Sequence, residues 1–244
     1  MLGSDGKSLK AVSYWAYKCS QGVLCLYRVS FKSIGSKEQQ KLTAPQWNEF
    51  NRQPEWHYVG RYLDFAPKIS EIALASVRAS LGVTTIPQEL ITMHIRRGDF
   101  LTWREKGTDC TPSLDAFVAA VKDHLKAELK MSSPELDVDK IQVLITTDEQ
   151  DDRAILDQIA ANGWVISQTP SSMIEEAFGD AWKWADSAIA QAILSLGARG
   201  FVGTSNSQVN QLTQLRIQSY YKRKHAPTRM VDRTGKFMTK LMNK

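Results

Sequence analysis

The segment Met93-His94-Ile95-Arg96-Arg97-Gly98-Asp99-Phe100 places a histidine, two arginines and a carboxylate within six residues, directly after the apolar run Leu90-Ile91-Thr92-Met93. Alternation along a strand puts His94 and Arg96 on one face and Arg97 on the other. Fixed cations at a strand end suit an anion such as a diphosphate, because open α/β sheets bind ligands beyond the carboxyl ends of their strands. Arginine serves better than lysine here. Its planar fork makes bidentate bonds to phosphate and keeps its charge. Asp99 can hold a neighbouring arginine or the loop backbone in place. The bland alternative is a buried ion-pair network at a strand end. As an adhesion tripeptide, Arg97-Gly98-Asp99 is too short and too common to carry weight.

A second constellation is Phe201-Val202-Gly203-Thr204-Ser205-Asn206-Ser207-Gln208. A strand ending in glycine and hydroxyl residues before a helix offers free N–H groups and a positive helix end to a phosphate. Gly203 would let the backbone approach closely. The alternative is ordinary helix capping by Ser205 or Ser207. A third is Thr146-Thr147-Asp148-Glu149, where Asp148 either contacts a nucleotide's base or ribose or caps the next helix. In Trp182-Lys183-Trp184-Ala185-Asp186 the aromatics read as core and Asp186 as an exposed or capping acid.

These residues need a scaffold, and alternating patterns supply one. Ile69, Ile72, Ala73, Ser76, Val77 and Leu81 form a helical stripe after Pro67 that ends at Gly82. Residues 90–95 read as a strand. Thr111, Pro112 and Asp115 open a helix whose buried face is Leu114, Phe117, Val118, Val121 and Leu125. Residues 141–146 form a strand, 149–162 a helix closed by Gly163, and 164–166 a short strand. Residues 174–198 are helical with a break at Gly179, 200–204 are a strand, and 207–220 are a helix with Val209, Leu212 and Leu215 inward. Strands alternating with helices imply βαβ units and a parallel sheet. Right-handed crossovers bring successive strand ends to one edge, so Arg96, Asp148 and Thr204 are expected to converge on one crevice.

Bulk properties narrow the class. The 244 residues are 43% hydrophobic and 23% charged, which is ordinary for a globular protein. The net charge of +5 and a pI near 9.0 suit an acidic partner. The basic residues are spread out, except for Lys222-Arg223-Lys224, so a nucleic-acid partner is not expected. Cys19, Cys25 and Cys110 make neither a disulfide framework nor a zinc motif. No apolar run approaches the roughly 20 residues of a membrane span. Met1 to Lys7 does not read as a signal peptide. Dinucleotide, P-loop, nucleophile-elbow and zinc-protease motifs are missing from the sequence.

His94-Ile95-Arg96-Arg97-Gly98-Asp99-Phe100 resembles the His-Leu-Arg-Arg-x-Asp-Phe signature of GDP-fucose protein O-fucosyltransferases, most closely the type acting on thrombospondin repeats. Pro112-Ser113-Leu114-Asp115 is similar to that family's next helix start. Residues Ala198 to Ser207 are similar to its Ala-Arg-aromatic-aromatic-Ile-Gly-Thr-Ser-x-Ser run. The resemblance covers about residues 61–221 and implies a Rossmann-like domain, the donor-binding half of a GT-B glycosyltransferase. It divides the chain into a partial N-terminal acceptor-side region (1–60), the GDP-fucose-binding domain (61–225) and a basic tail (226–244). The family's Gly-rich, Asn-containing loop is not found, so a truncated or diverged short form is expected.

The resemblance implies inverting, metal-independent transfer of fucose from GDP-fucose, with no further cofactor, to a protein or glycan hydroxyl. Arg96 would contact the diphosphate and support departure of the leaving group. By the same resemblance His94 and Asp99 would line the pocket and Ser207 and Gln208 would hold the β-phosphate; Arg97, Asp148, Thr204 and Ser205 are candidate contacts from their places at the strand ends. Gln208 stands where the family has threonine. The family's pocket aspartate falls at Gln191, with Asp186 five residues earlier. The alternative is a nucleotide-sugar-binding protein without catalysis. The family works in the secretory lumen, but the sequence leaves the acceptor and the compartment open.

Overall fold

The computed structural model describes residues 64–97, 112–148, 152–179, 182–205, 207–217, 226–232 and 234–238. In chain order the elements are α1 (Pro67–Leu81), β1 (Leu90–Ile95) and α2 (Leu114–Ala119), which continues through a π-helical stretch (Ala120–Lys126) into α3 (Ala127–Ser132). Then follow β2 (Gln142–Thr147), α4 (Arg153–Ala161), β3 (Val165–Ile166), α5 (Ser171–Phe178) and α6 (Trp182–Leu194). The chain closes with β4 (Gly200–Thr204), α7 (Gln208–Leu215), β5 (Thr228–Val231) and β6 (Phe237–Met238).

Among the described residues the strands form one six-stranded sheet in the order β3-β2-β1-β4-β5-β6. β1 to β5 are parallel and β6 is antiparallel to β5. β1 is central and buried along its whole length, which is why it reads as a mostly apolar run, interrupted by Thr92 and His94, rather than an alternating one. Ile91, Met93 and Ile95 face the layer that includes Phe117, Val121, Leu125 and Ile159. Leu90 lies on the other face, with Leu144 and residues of α1, α5 and α6. The expected α/β architecture, a parallel sheet flanked by helices, is therefore present.

Several boundaries differ from expectation. The helix expected from Thr111 starts at Leu114, because Ser113 takes the cap and its hydroxyl accepts from the Ala116 amide at 3.3 Å; Thr111 lies outside the described residues. The helix expected from residue 149 starts at Arg153, capped by Asp152. The segment 174–198 divides at Gly179 as expected, where φ is 52°, but its helices run Ser171–Phe178 and Trp182–Leu194. Residues 228–238, expected in a basic tail, include two strands that extend the sheet. Neighbouring strands satisfy their backbone groups, and that pairing has no local signature in so short a run. Trp184, expected in the core, is 82% exposed.

Gly203 marks a close approach. A Cβ there would sit 2.8 Å from both the Asn210 side chain and the Phe201 ring. Asn210 fills that space and donates from Nδ2 to the Thr204 carbonyl at 2.9 Å, so α7 lies tight against β4. The missing side chain thus serves helix–strand contact rather than the approach of a ligand. Gly203→Ala is expected to cost about 1–3 kcal/mol by overpacking, read as a lower urea midpoint at unchanged slope.

Candidate functional site

The helix-bearing crossovers reverse direction between β1 and β4, which are adjacent in the sheet but distant in sequence. That gap between carboxyl ends is where open α/β sheets form their binding crevice. Arg96 and Arg97 follow β1, Asp148 follows β2, and Thr204 ends β4 with Ser205 just beyond.

These residues are joined. The Arg96 amide donates to Thr204 Oγ1 at 3.0 Å. Thr204 Oγ1 also donates to the His94 carbonyl at 3.4 Å, which ties β1 to β4. On the other flank, Thr147 Oγ1 donates to the Ile95 carbonyl at 3.0 Å and ties β1 to β2. Asp148 uses both carboxylate oxygens. Oδ1 accepts from the Arg97 amide at 2.8 Å, and Oδ2 pairs with Arg96 Nε at 3.3 Å. The Arg96 side chain is 31% exposed and that of Asp148 22%, so the guanidinium is anchored while part of it faces the edge.

Asp148 therefore anchors Arg96; Asp99, for which the sequence suggested such a role, lies outside the described residues. The second role expected of Asp148, capping the next helix, belongs to Asp152. Asp148→Ala is expected to destabilise the fold by about 1–3 kcal/mol, because a partly buried amide loses its acceptor. Asp148→Asn keeps an acceptor for that amide, and urea unfolding should show most of the stability restored.

His94 is buried beneath Arg96. Its Nδ1 lies 2.8 Å from Thr146 Oγ1 and 3.1 Å from the Thr146 carbonyl, so it either accepts from the hydroxyl or donates to the carbonyl. Nε2 is buried without a hydrogen-bond partner among the described residues. Burial pushes the imidazole down from 6.5 to about 4; Arg96 adds to the drop, and Asp148 opposes it. The ring is neutral at physiological pH.

The β4–α7 turn differs from expectation. Thr204, Ser205 and Ser207 are all buried. The Ser205 amide donates to the Val231 carbonyl at 2.8 Å, because β4 goes on pairing with β5 past its last residue. That amide is not open to a phosphate. Ser207 holds the N-cap position, but its hydroxyl makes no capping hydrogen bond. Gln208 begins α7. Arg97 is half-buried, and its Nε has no hydrogen-bond partner among the described residues. Gln191 is buried on α6, and its Oε1 is likewise unpartnered there, whereas Asp186 is exposed.

Sequence reasoning placed Thr146 and Thr147 beside Asp148 without giving them a role, and it missed Asn210. All three are ordinary residues whose roles come from register, which pairs His94 with both Thr146 and Gly203. Among the described residues, no group of three or more His, Cys, Asp or Glu is placed to hold a metal ion, and no helix is long and apolar enough to cross a membrane. No protein-family model matches the chain, and no curated protein matches it.

Proposed function

We propose that this edge binds the diphosphate of GDP-fucose and that the chain is the donor-binding half of a GT-B fucosyltransferase acting on a hydroxyl acceptor. One observation carries the reading. The two segments with fucosyltransferase-like motifs meet at the switch point, where the Arg96 amide and the Thr204 hydroxyl, 108 residues apart, are hydrogen-bonded. The anchored Arg96 guanidinium supplies the fixed positive charge.

The chemistry follows from that charge. As the sugar–phosphate bond breaks, negative charge grows on the departing diphosphate and the sugar becomes oxocarbenium-like. A guanidinium already held by Asp148 needs little reorganisation to meet that charge, so it favours the transition state over the ground state. Asp148 acts as a positioning residue through Arg96. His94 is neutral at pH 7 and adds no charge of its own.

Calorimetry with GDP and with UDP, followed by a GDP-fucose hydrolysis assay, tests the proposal. Preference for GDP together with turnover supports it. Failure to bind either nucleotide overturns it. Binding without turnover replaces it with a non-catalytic nucleotide-sugar-binding role.

A further inference from the structure

We infer that Trp184 is a stacking platform for the nucleobase of the nucleotide bound at this edge; the inference rests on the reading of the edge as a nucleoside-diphosphate site. A single exposed hydrophobic side chain needs no explanation by itself. The position of this one does.

Thr92 Oγ1 donates to the Leu194 carbonyl at 2.6 Å, which pins the end of α6 beside the middle of β1. The chain then enters β4 with Gly200 opposite Ile91, so α6 runs back against the strand direction. Trp184 lies ten residues before Leu194, about 15 Å up the helix at 1.5 Å per residue. Thr92 to Arg96 spans about 13 Å of extended chain. Trp184 therefore stands level with Arg96 or just above it.

The side of the helix is also determined. Trp184, Ala188, Gln191 and Ser195 follow one another at helical spacing along one stripe. On one flank Leu194 joins the cluster with Phe201 and Met230. On the other, Ala185, Ile189 and Ala192 join the cluster with α1. The flanks cluster with the strand residues Leu90, Leu144 and Phe201, so the stripe between them turns toward the sheet. It is buried at Ser195 (3%) and Gln191 (5%) and half-buried at Ala188, but open at Trp184 (82%). Burial fails where the sheet ends, so the indole overhangs the carboxyl edge on the same side of the sheet as His94 and Arg96.

A flat π-surface at the height of the Arg96 guanidinium fits the nucleobase of a nucleotide whose diphosphate that guanidinium holds, because every base offers a π-face for stacking. Binding of GDP, GDP-fucose and inorganic pyrophosphate to the full chain and to Trp184→Ala tests this by calorimetry. Trp184→Ala is expected to weaken GDP and GDP-fucose alike by about tenfold and to leave pyrophosphate unchanged, with Trp184→Phe keeping most of the affinity. Because the side chain is exposed, both variants should fold, and a thermal melt checks this.

Equal weakening of pyrophosphate, unchanged GDP affinity, or a loss confined to GDP-fucose would each overturn the stacking role. If the unmodified chain binds GDP and pyrophosphate but Trp184→Ala does not discriminate between them, only this inference fails. If the unmodified chain binds neither, the nucleotide site fails with it.

Discussion

Replacing Arg96 with alanine is expected to lower GDP-fucose turnover by a factor of about 10²–10³, equivalent to about 3–4 kcal/mol of transition-state stabilisation. The size of the effect follows from the arrangement. The guanidinium is oriented through Nε by Asp148 and by a backbone tied to Thr204, so its charge is already in position before reaction. Most of the loss should appear in kcat, because the charge on the departing diphosphate grows only as the bond breaks. Arg96→Lys should recover part of the rate, since charge returns without the bidentate fork. Urea unfolding of both variants separates a catalytic loss from a folding one. The Arg96 side chain is about one-third exposed, and its removal should change stability little. A kcat of Arg96→Ala within twofold of the unmodified chain would remove the residue from the mechanism.

Acid is expected to destabilise the fold through His94. The imidazole titrates near 4 when folded and at the ordinary 6.5 when unfolded. The folded form is depressed for a base, so the unfolded chain takes up the proton first. Stability contributed by the neutral ring is complete above pH 6.5 and falls as the pH drops toward 4, where the loss levels off. Each pH unit in that window is worth about 1.4 kcal/mol, so the full loss is about 3 kcal/mol. Urea midpoints measured from pH 7 to 4 for the native chain and for His94→Gln give the difference. Equal pH slopes for the two proteins would show that the ring is not buried in neutral form. The same titration bears on the site, because protonated His94 would add a second positive charge directly beneath Arg96.

Much of the scaffold was legible locally. The stripe from Ile69 to Leu81 and its end at Gly82, whose φ is 64°, follow from helix periodicity and from glycine's tolerance of left-handed backbone. β1 was readable over residues 90–95 because a strand buried on both faces is mostly apolar, with Thr92 and His94 as its buried polar exceptions. The convergence of Arg96, Asp148 and Thr204 was legible too, since parallel strands end on a common edge. Partners within that edge were not. Asp148 looked like a ligand contact or a cap, yet its oxygens are taken by Arg96 and Arg97. Ser205 looked like part of a phosphate-binding turn, yet its amide is paired with Val231.

The sequence by itself determined the element order from Pro67 to Leu215, the buried faces of α1 and α2 and the chemistry available at the strand ends, because these depend on side-chain type and periodicity within one segment. The tertiary structure alone decided that Asp148 holds Arg96, that residues 228–238 extend the sheet, that Gly203 makes room for Asn210, and that Trp184 is exposed. Each of these turns on register or on the height of a helix across the sheet. Both are set by contacts between segments far apart in the chain, which leave no periodic trace in either partner.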